Sequence, residues 1–173
     1  MLLIALLVLT AQHPKPNGLY AIFNTSMGVI TARLYEKDTP VSVQTFVKLA
    51  NRRLFNNITF HRVVRDEMIQ SGIQNCNLTI RDEFLPGLRF EEAGKLAMAN
   101  AGKADTGGCQ FFITVNAMRP WNGQYAIFGY VVEGIDVVTK INHGKLNGDK
   151  PIDPVKLIDV TIERVGPEPK PKR

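Results

Sequence analysis

The chain has 173 residues, 45% of them apolar and 21% charged, which fits one globular domain and excludes a disordered, fibrous or two-domain protein. Lys and Arg outnumber Asp and Glu by 21 to 16, so an acidic solvating protein is excluded, while a polyanion partner is allowed but not demanded. Two cysteines, Cys76 and Cys109, are too few for a disulfide scaffold and lack metal-ligand spacing.

Met1 to Leu9 form an unbroken apolar run. It falls short of the roughly 20 residues that cross a bilayer and matches the hydrophobic region of a signal peptide ending near Ala11. The expectation is an exported protein, periplasmic or secreted, with no stable membrane insertion. Read instead as a strand, the run would leave a cytoplasmic protein. Residues 12–18, with two prolines, read as an extended linker. Leu19–Asn24 and Val29–Tyr35 then predict a β-hairpin whose turn uses Gly28. Pro40 opens a predicted helix carrying Val43, Phe46, Val47, Ala50 and Leu54 on one face, with Thr39 as N-cap. Short runs rich in β-branched and aromatic residues follow at Ile58–Val64, Leu96–Ala99, Phe111–Val115, Ala126–Val132 and Val155–Ile162. A second helix is predicted over Ile135–Asn142, closed by His143 and a left-handed Gly144. Residues 166–173 form a Pro-rich basic tail, leaving a folded domain over Leu19–Val165. Many short strands with only two helices predict a mainly β fold, a closed antiparallel barrel.

The three histidines, His13, His61 and His143, fall in the linker, a strand and a helix end. No GxSxG, HExxH, P-loop or Rossmann fingerprint is present, and nothing marks a base for Cys109. These patterns favour chemistry that needs neither a nucleophile nor a metal. Basic residues are not interleaved with aromatics, so no nucleic-acid partner is expected.

Two long runs carry the functional signal. One is Phe60-His-Arg-Val-Val-Arg-Asp-Glu-Met-Ile-Gln70-Ser-Gly72; the other runs from Leu96-Ala-Met-Ala-Asn-Ala-Gly102 through a glycine-rich loop to Gly108-Cys-Gln-Phe-Phe-Ile113. Together they resemble the cyclophilin family of peptidyl-prolyl cis-trans isomerases, whose motifs read FHRVI-x-x-FMIQGGD and LAMANAG-x(n)-GSQFFI. The likeness extends over Leu19–Val165 and includes Thr39–Phe46 and Phe128–Val137. It implies a single-domain, bacterial-type protein with a closed eight-stranded antiparallel β-barrel capped by two α-helices. It further implies a monomer that needs no cofactor or metal and acts on Xaa-Pro bonds of unfolded or partly folded proteins.

Prolyl rotation must break amide resonance, a barrier of roughly 18–20 kcal/mol. In the twisted state the prolyl nitrogen regains a lone pair, so a fixed donor stabilises that state over the planar one. The resemblance gives the donor role to Arg62, which is always protonated and presents a rigid fork of N–H groups. It gives Gln70 and Asn100 the task of holding the peptide backbone. Phe60, Met68, Ala99, Ala101, Gln110, Phe112, Trp121 and Tyr125 complete the implied binding set, and His61 is read as structural. A rival reading is a proline-peptide binding module or chaperone on the same fold, with weakened catalysis.

The sequence departs from the family at four places. Glu67 replaces the Phe before the pocket Met, and is expected to turn to water or to pair with Arg62 or Arg65, lowering activity without abolishing it. Counted without gaps, Pro120 falls in the usual Trp or His slot and Trp121 in the neighbouring Leu slot, with Tyr125 in place of His; a one-residue deletion would instead return Trp121 to its familiar place. Cyclosporin binding is therefore not expected to follow the family. Ser71 and Ile73 replace the usual Gly and acidic residue. Family geometry also brings Cys76 and Cys109 to one side of the cleft, where an oxidising compartment would permit a disulfide, with free thiols the preferred expectation.

Overall fold

The computed structural model describes residues 15–168. The expected signal segment and residues 169–173 of the basic tail lie outside them. Eleven strands and two α-helices run in the order β1 (Gly18–Thr25), β2 (Gly28–Leu34), α1 (Pro40–Asn51), β3 (Ile58–Thr59), β4 (Arg62–Val64), β5 (Met68–Gly72), β6 (Lys95–Met98), β7 (Gln110–Thr114), β8 (Ile127–Glu133), α2 (Ile135–Asn142), β9 (Leu146–Asn147), β10 (Lys150–Pro151) and β11 (Lys156–Val165). A single 3₁₀ turn covers Arg119–Trp121. No helix among the described residues is long and apolar enough to cross a membrane.

Nine strands form one strongly curled antiparallel sheet in the order β3-β11-β1-β2-β8-β6-β7-β5-β4, and β9 and β10 form a separate hairpin. The architecture is mainly β, as expected, but the strand count and the closure differ from a closed eight-stranded barrel. The predicted strand Ile58–Val64 breaks at Phe60-His61 into the two edge strands, β3 and β4, which share no ladder. A side chain links the two ends of the sheet: the Ser71 hydroxyl of β5, the neighbour of edge strand β4, donates to the Thr59 carbonyl of edge strand β3 at 2.9 Å.

The local signals account for most elements. In the first hairpin Thr25 Oγ accepts the Met27 N–H at 3.1 Å and donates to the Gly28 carbonyl at 2.7 Å, closing the turn. Pro40 begins α1, but the Thr39 side chain makes no capping bond. Glu83 caps the helix from a distance: its carboxylate accepts the N–H groups of Val41 and Ser42 at 3.0 and 2.8 Å and the Ser42 hydroxyl at 2.7 Å. An anion there also complements the positive end of the helix dipole. Leu54 lies beyond the helix and is 38% exposed, so it is not a core residue. Helix α2 has the predicted bounds. Its left-handed residue is Gly134 at the N-terminal cap, with φ 84°, and not Gly144, because any Cβ at 134 would run into the Val29 carbonyl.

The curled sheet divides the apolar residues into two clusters. Its inner face holds Phe23, Phe46, Phe55, Phe111 and Phe128, whose neighbouring rings lie 5.2 to 5.8 Å apart. Helix α1 contributes Val43, Phe46, Leu49 and Ala50 to this core, and packs against β11. Burying each such ring is worth on the order of 1.5–3 kcal/mol. The second cluster contains Met68, Phe90, Ala97, Phe112 and Ile127. Strand alternation makes the division: in β7, Phe111 and Ile113 join the first cluster while Phe112 joins the second.

Strands β5 and β7 approach each other closely where Gly72 pairs with Gln110. Gly72 has φ 121°, and a Cβ there would collide with the Cys109 carbonyl and come within 2.6 Å of the Gln110 Cα. Gly72→Ala should therefore cost at least about 2 kcal/mol in a denaturant titration, through backbone strain and forced separation of the strands; an unchanged midpoint would contradict that close approach.

Candidate active site

Four adjacent strands set the cleft residues in one row by register alone. Arg62 of β4 is directly opposite Gln70 of β5, Gln70 is opposite Phe112 of β7, and Phe112 is opposite Ala97 of β6. Gln110 and Met68, each two residues from a member of this row on its own strand, share its face.

The side chains form one directed hydrogen-bond chain. Arg62 Nη1–H donates to Gln70 Oε1 at 3.3 Å, and Gln70 Nε2–H donates to Gln110 Oε1 at 2.7 Å. The same Gln110 oxygen is met by His61 Nε2 at 3.2 Å. A guanidinium has donors only, so it requires the oxygen of Gln70, which turns the Gln70 amide nitrogen toward Gln110 and makes His61 a donor at Nε2. Burial, assisted by the charge of Arg62, lowers the His61 pKa from its ordinary 6.5 even though the bond to Gln110 acts the other way. His61 is thus neutral near pH 7 and serves as a prop for Gln110. One Gln70 N–H and the Gln110 amide nitrogen have no protein acceptor among the described residues.

The expected pairing of Glu67 with an arginine does not occur. Arg62 instead donates from Nε and Nη2 to Asp149 Oδ2 at 3.2 and 3.0 Å, and Arg65 donates to the Gly144 carbonyl at 2.7 Å. The Arg62 and Asp149 side chains are 48% and 53% exposed, so this pair adds only about 0–1 kcal/mol to stability.

Beside the polar chain lies an aromatic recess. The Phe112 ring is 5.5 Å from Trp121 and 5.1 Å from Tyr125, both edge-on, and Trp121 is 5.6 Å from Tyr125. Met68 and Phe112 form its floor, each 3% exposed, and Phe90 packs behind at 6.0 Å from both Phe112 and Trp121. Trp121 stands in the recess, while Pro120, in the same 3₁₀ turn, is exposed. That turn is pinned from outside. Glu91 accepts from Arg119 at 2.6 Å and from Arg89 at 2.8 Å, and the bonds to these two arginines, Arg119 first, hold its pKa down to about 2. Asn122 Oδ1 accepts the Phe90 N–H at 2.7 Å.

Across the cleft, Asn100 Nδ2 donates to the Gln124 carbonyl at 2.9 Å and its Oδ1 accepts the Gly102 N–H at 3.0 Å. Its own main-chain N–H and C=O have no protein partner among the described residues, so they are available to an extended peptide. Ala99 and Ala101 flank it, and Gln70, Asn100 and Gln110 also line a groove of about 290 Å³. That groove is walled by Cys76 and Cys109, which are joined as a disulfide with Cα atoms 6.2 Å apart, contrary to the preferred expectation of free thiols. Of the predicted residues, only Phe60 stands apart. It is completely buried in the inner core and presents no surface to a ligand, because the β3–β4 break turns it inward.

Sequence reasoning missed Asp149, Phe90 and Asn142. Asn142 is fully buried at the end of α2 and staples the β4–β5 turn. Its Nδ2 donates to the carbonyls of Val64 and Met68 at 2.7 and 3.1 Å, and its Oδ1 accepts the Asp66 N–H at 2.9 Å. Its only sequence signal, an Asn in the last turn of an amphipathic helix, is that of an ordinary helix end.

Residues 20–162 match the family described as cyclophilin type peptidyl-prolyl cis-trans isomerase/CLD. The human protein called peptidyl-prolyl cis-trans isomerase-like 1 is 39% identical over 154 residues, covering 83% of this chain and 91% of its own length. Its Aspergillus fumigatus namesake is 38% identical over 158 residues, covering 85% and 97%. Among solved structures, a cyclophilin type isomerase of Cryptosporidium parvum aligns with TM-score 0.80 and 26% identity, covering 85% of this chain and 98% of that one. The same protein solved in the presence of the dipeptide Ala-Pro aligns at TM-score 0.78 with 26% identity, covering 84% and 99%. These relatives are eukaryotic and lend no weight to a bacterial type.

Removing the Asn142 amide would take its bonds from the Met68 carbonyl and the Asp66 N–H and leave the Val64 carbonyl only the Glu67 N–H. Asn142→Ala should lower unfolding stability by about 2–4 kcal/mol, read from the denaturation midpoint; a loss below about 0.5 kcal/mol would show that the staple carries no weight.

Proposed function

The chain belongs to the cyclophilin-type peptidyl-prolyl cis-trans isomerase family, and on that premise we propose that it turns Xaa-Pro bonds by holding the peptide on one side of the prolyl amide and offering Arg62 to the twisted nitrogen. The observation that carries this reading is the juxtaposition of the Arg62–Gln70–Gln110 chain with the recess of Met68, Phe112, Trp121 and Tyr125. The recess receives the proline ring, a compact apolar ring suited to aromatic edges and a soft thioether. The free Gln70 N–H and the main chain of Asn100 bind the peptide backbone, so the ring and the preceding carbonyl can rotate relative to each other. Gln110 adds an amide donor in the groove that Ala99 and Ala101 also line.

Arg62 supplies the transition-state interaction. Rotation pyramidalises the prolyl nitrogen, and a guanidinium N–H then meets a lone pair absent from the planar amide. No proton is transferred and no covalent bond forms, so neither a base nor a cofactor enters the mechanism. His61 is neutral and bonded to Gln110, which suits a positioning role and not acid–base catalysis. Because Arg62 is bonded to Asp149 and not to Glu67, the structure offers no support for a catalytically weakened binding module.

The clients are proline-containing unfolded or partly folded proteins, engaged by a monomer. The Ala-Pro dipeptide present with the Cryptosporidium parvum relative supports this substrate class. Export is supported by the Cys76–Cys109 disulfide, since such bonds persist in oxidising compartments; a full-length protein found with two alkylatable thiols in an unreduced cell extract would refute it.

In a protease-coupled cis/trans assay, Arg62→Ala should lower kcat/KM by about 10²-fold, the scale of losing a preorganised donor; a variant as fast as the unmodified protein would sink the mechanism. Trp121 emission should respond to a proline peptide but the same assay should show weak inhibition by cyclosporin, because Pro120 occupies the slot that supports that ligand in the family. Tight cyclosporin inhibition would overturn this assignment of the slots.

A further inference from the structure

Arg62 is gripped by a residue that no motif marks. Asp149 lies in the turn between β9 and β10, where Gly148 adopts φ 59° and the chain reverses. The residue is fixed at two points. Its carbonyl accepts the Val63 N–H at 2.8 Å, docking the turn onto β4, and its Oδ2 accepts the Nε and Nη2 hydrogens of the neighbouring Arg62. The main-chain bond makes the carboxylate part of the scaffold and not a passing surface ion.

A guanidinium carries five N–H groups. Asp149 takes two, along the Nε–Nη2 side, and Gln70 takes a third, on Nη1. One N–H remains on each terminal nitrogen. An arginine half exposed on a short edge strand would otherwise spread over many rotamers, losing the fixed aim on which preorganised stabilisation depends. Gln70 alone cannot supply that aim, because its single bond to Nη1 is the longest in the cluster, at 3.3 Å.

The geometry points to Asp149 as a positioning residue for prolyl rotation, one that orients the two remaining Arg62 N–H groups toward the twisted amide without touching the substrate. This rests on the assignment of Arg62 as the donor. Since Asp149 acts on the aim of the donor and not on peptide binding, its loss falls on kcat and leaves KM nearly unchanged.

The test compares Asp149→Ala, Asp149→Asn, Asp149→Glu, Arg62→Ala and the Arg62→Ala/Asp149→Ala double variant over a range of proline-peptide concentrations. Asp149→Ala and Asp149→Asn should each lose about tenfold in kcat with KM within about twofold, and Asp149→Glu should recover part of the rate. In the Arg62→Ala background, Asp149→Ala should change nothing further. Asp149→Asn preserves the main-chain bond and the side-chain volume, so it reports on the charge even if the alanine variant folds poorly. Full activity in both neutral variants, a loss confined to KM, or an equal loss in the Arg62→Ala background would overturn the proposal. Arg62→Ala activity equal to that of the unmodified protein would instead defeat the donor assignment itself.

Discussion

The site depends first on the antiparallel register of β4, β5 and β7. Pairing Arg62 with Gln70 and Gln70 with Phe112 brings a cation, an amide and an aromatic ring into one cross-strand row. The side-chain period along a strand is two, so slipping β5 by one residue would send Met68 and Gln70 into the phenylalanine core and turn Ile69 outward. Several otherwise unrelated features defend that register: Gly72 allows β5 to lie close to β7, Ser71 ties β5 to β3, and Asn142 clamps the β4–β5 turn. Stability and site geometry are therefore enforced by the same residues, although none of these three needs to touch a substrate.

A second constraint is directional. Arg62 can only donate, and this fixes the orientation of every amide downstream to His61. An amide pair without such a neighbour has two near-equivalent orientations. Here one is excluded electrostatically, so the free donors of Gln70 and Gln110 are settled before any peptide arrives. The aromatic recess beside them is ordered differently, by edge-on ring contacts and by the Glu91 pairs that pin its outer turn. A polar network with a defined sense thus adjoins an apolar recess with a defined shape.

The sequence made the mainly β class, both helices, and the cleft residues on β5 and β7 legible, because strand alternation and two long motifs carry them. It missed what depends on distant partners. Thr39 looked like the cap of α1 by its position, yet Glu83 reaches in with two oxygens and satisfies more of the first turn than one hydroxyl can. Phe60 belonged to the binding set that the resemblance implied, but the strand breaks between β3 and β4, and its ring goes to the core. Glu67 was left with two outcomes, turning to water or pairing with Arg62 or Arg65; the actual partner of Arg62, Asp149, is 87 positions away in a turn of ordinary composition. Trp121 could be counted into either of two slots; the ring contacts show where its side chain packs, against Phe112 and Tyr125.

The Cys76–Cys109 bond has a meaning for the unfolded chain as well as for the groove it walls. Gln70 and Gln110 stand 40 positions apart, so their strands meet only after a wide loop has closed. Once the cross-link exists, the path between them along the covalent network shortens to about eight residues, the reach of a local hairpin. The entropy of closing that loop, about 3–4 kcal/mol in the chain-entropy account, is then borne when the sulfurs join and not when the sheet forms. An oxidised chain should consequently assemble β5 on β7 as a low-contact-order event, so that a catalyst of slow steps in other proteins is relieved of a slow step of its own.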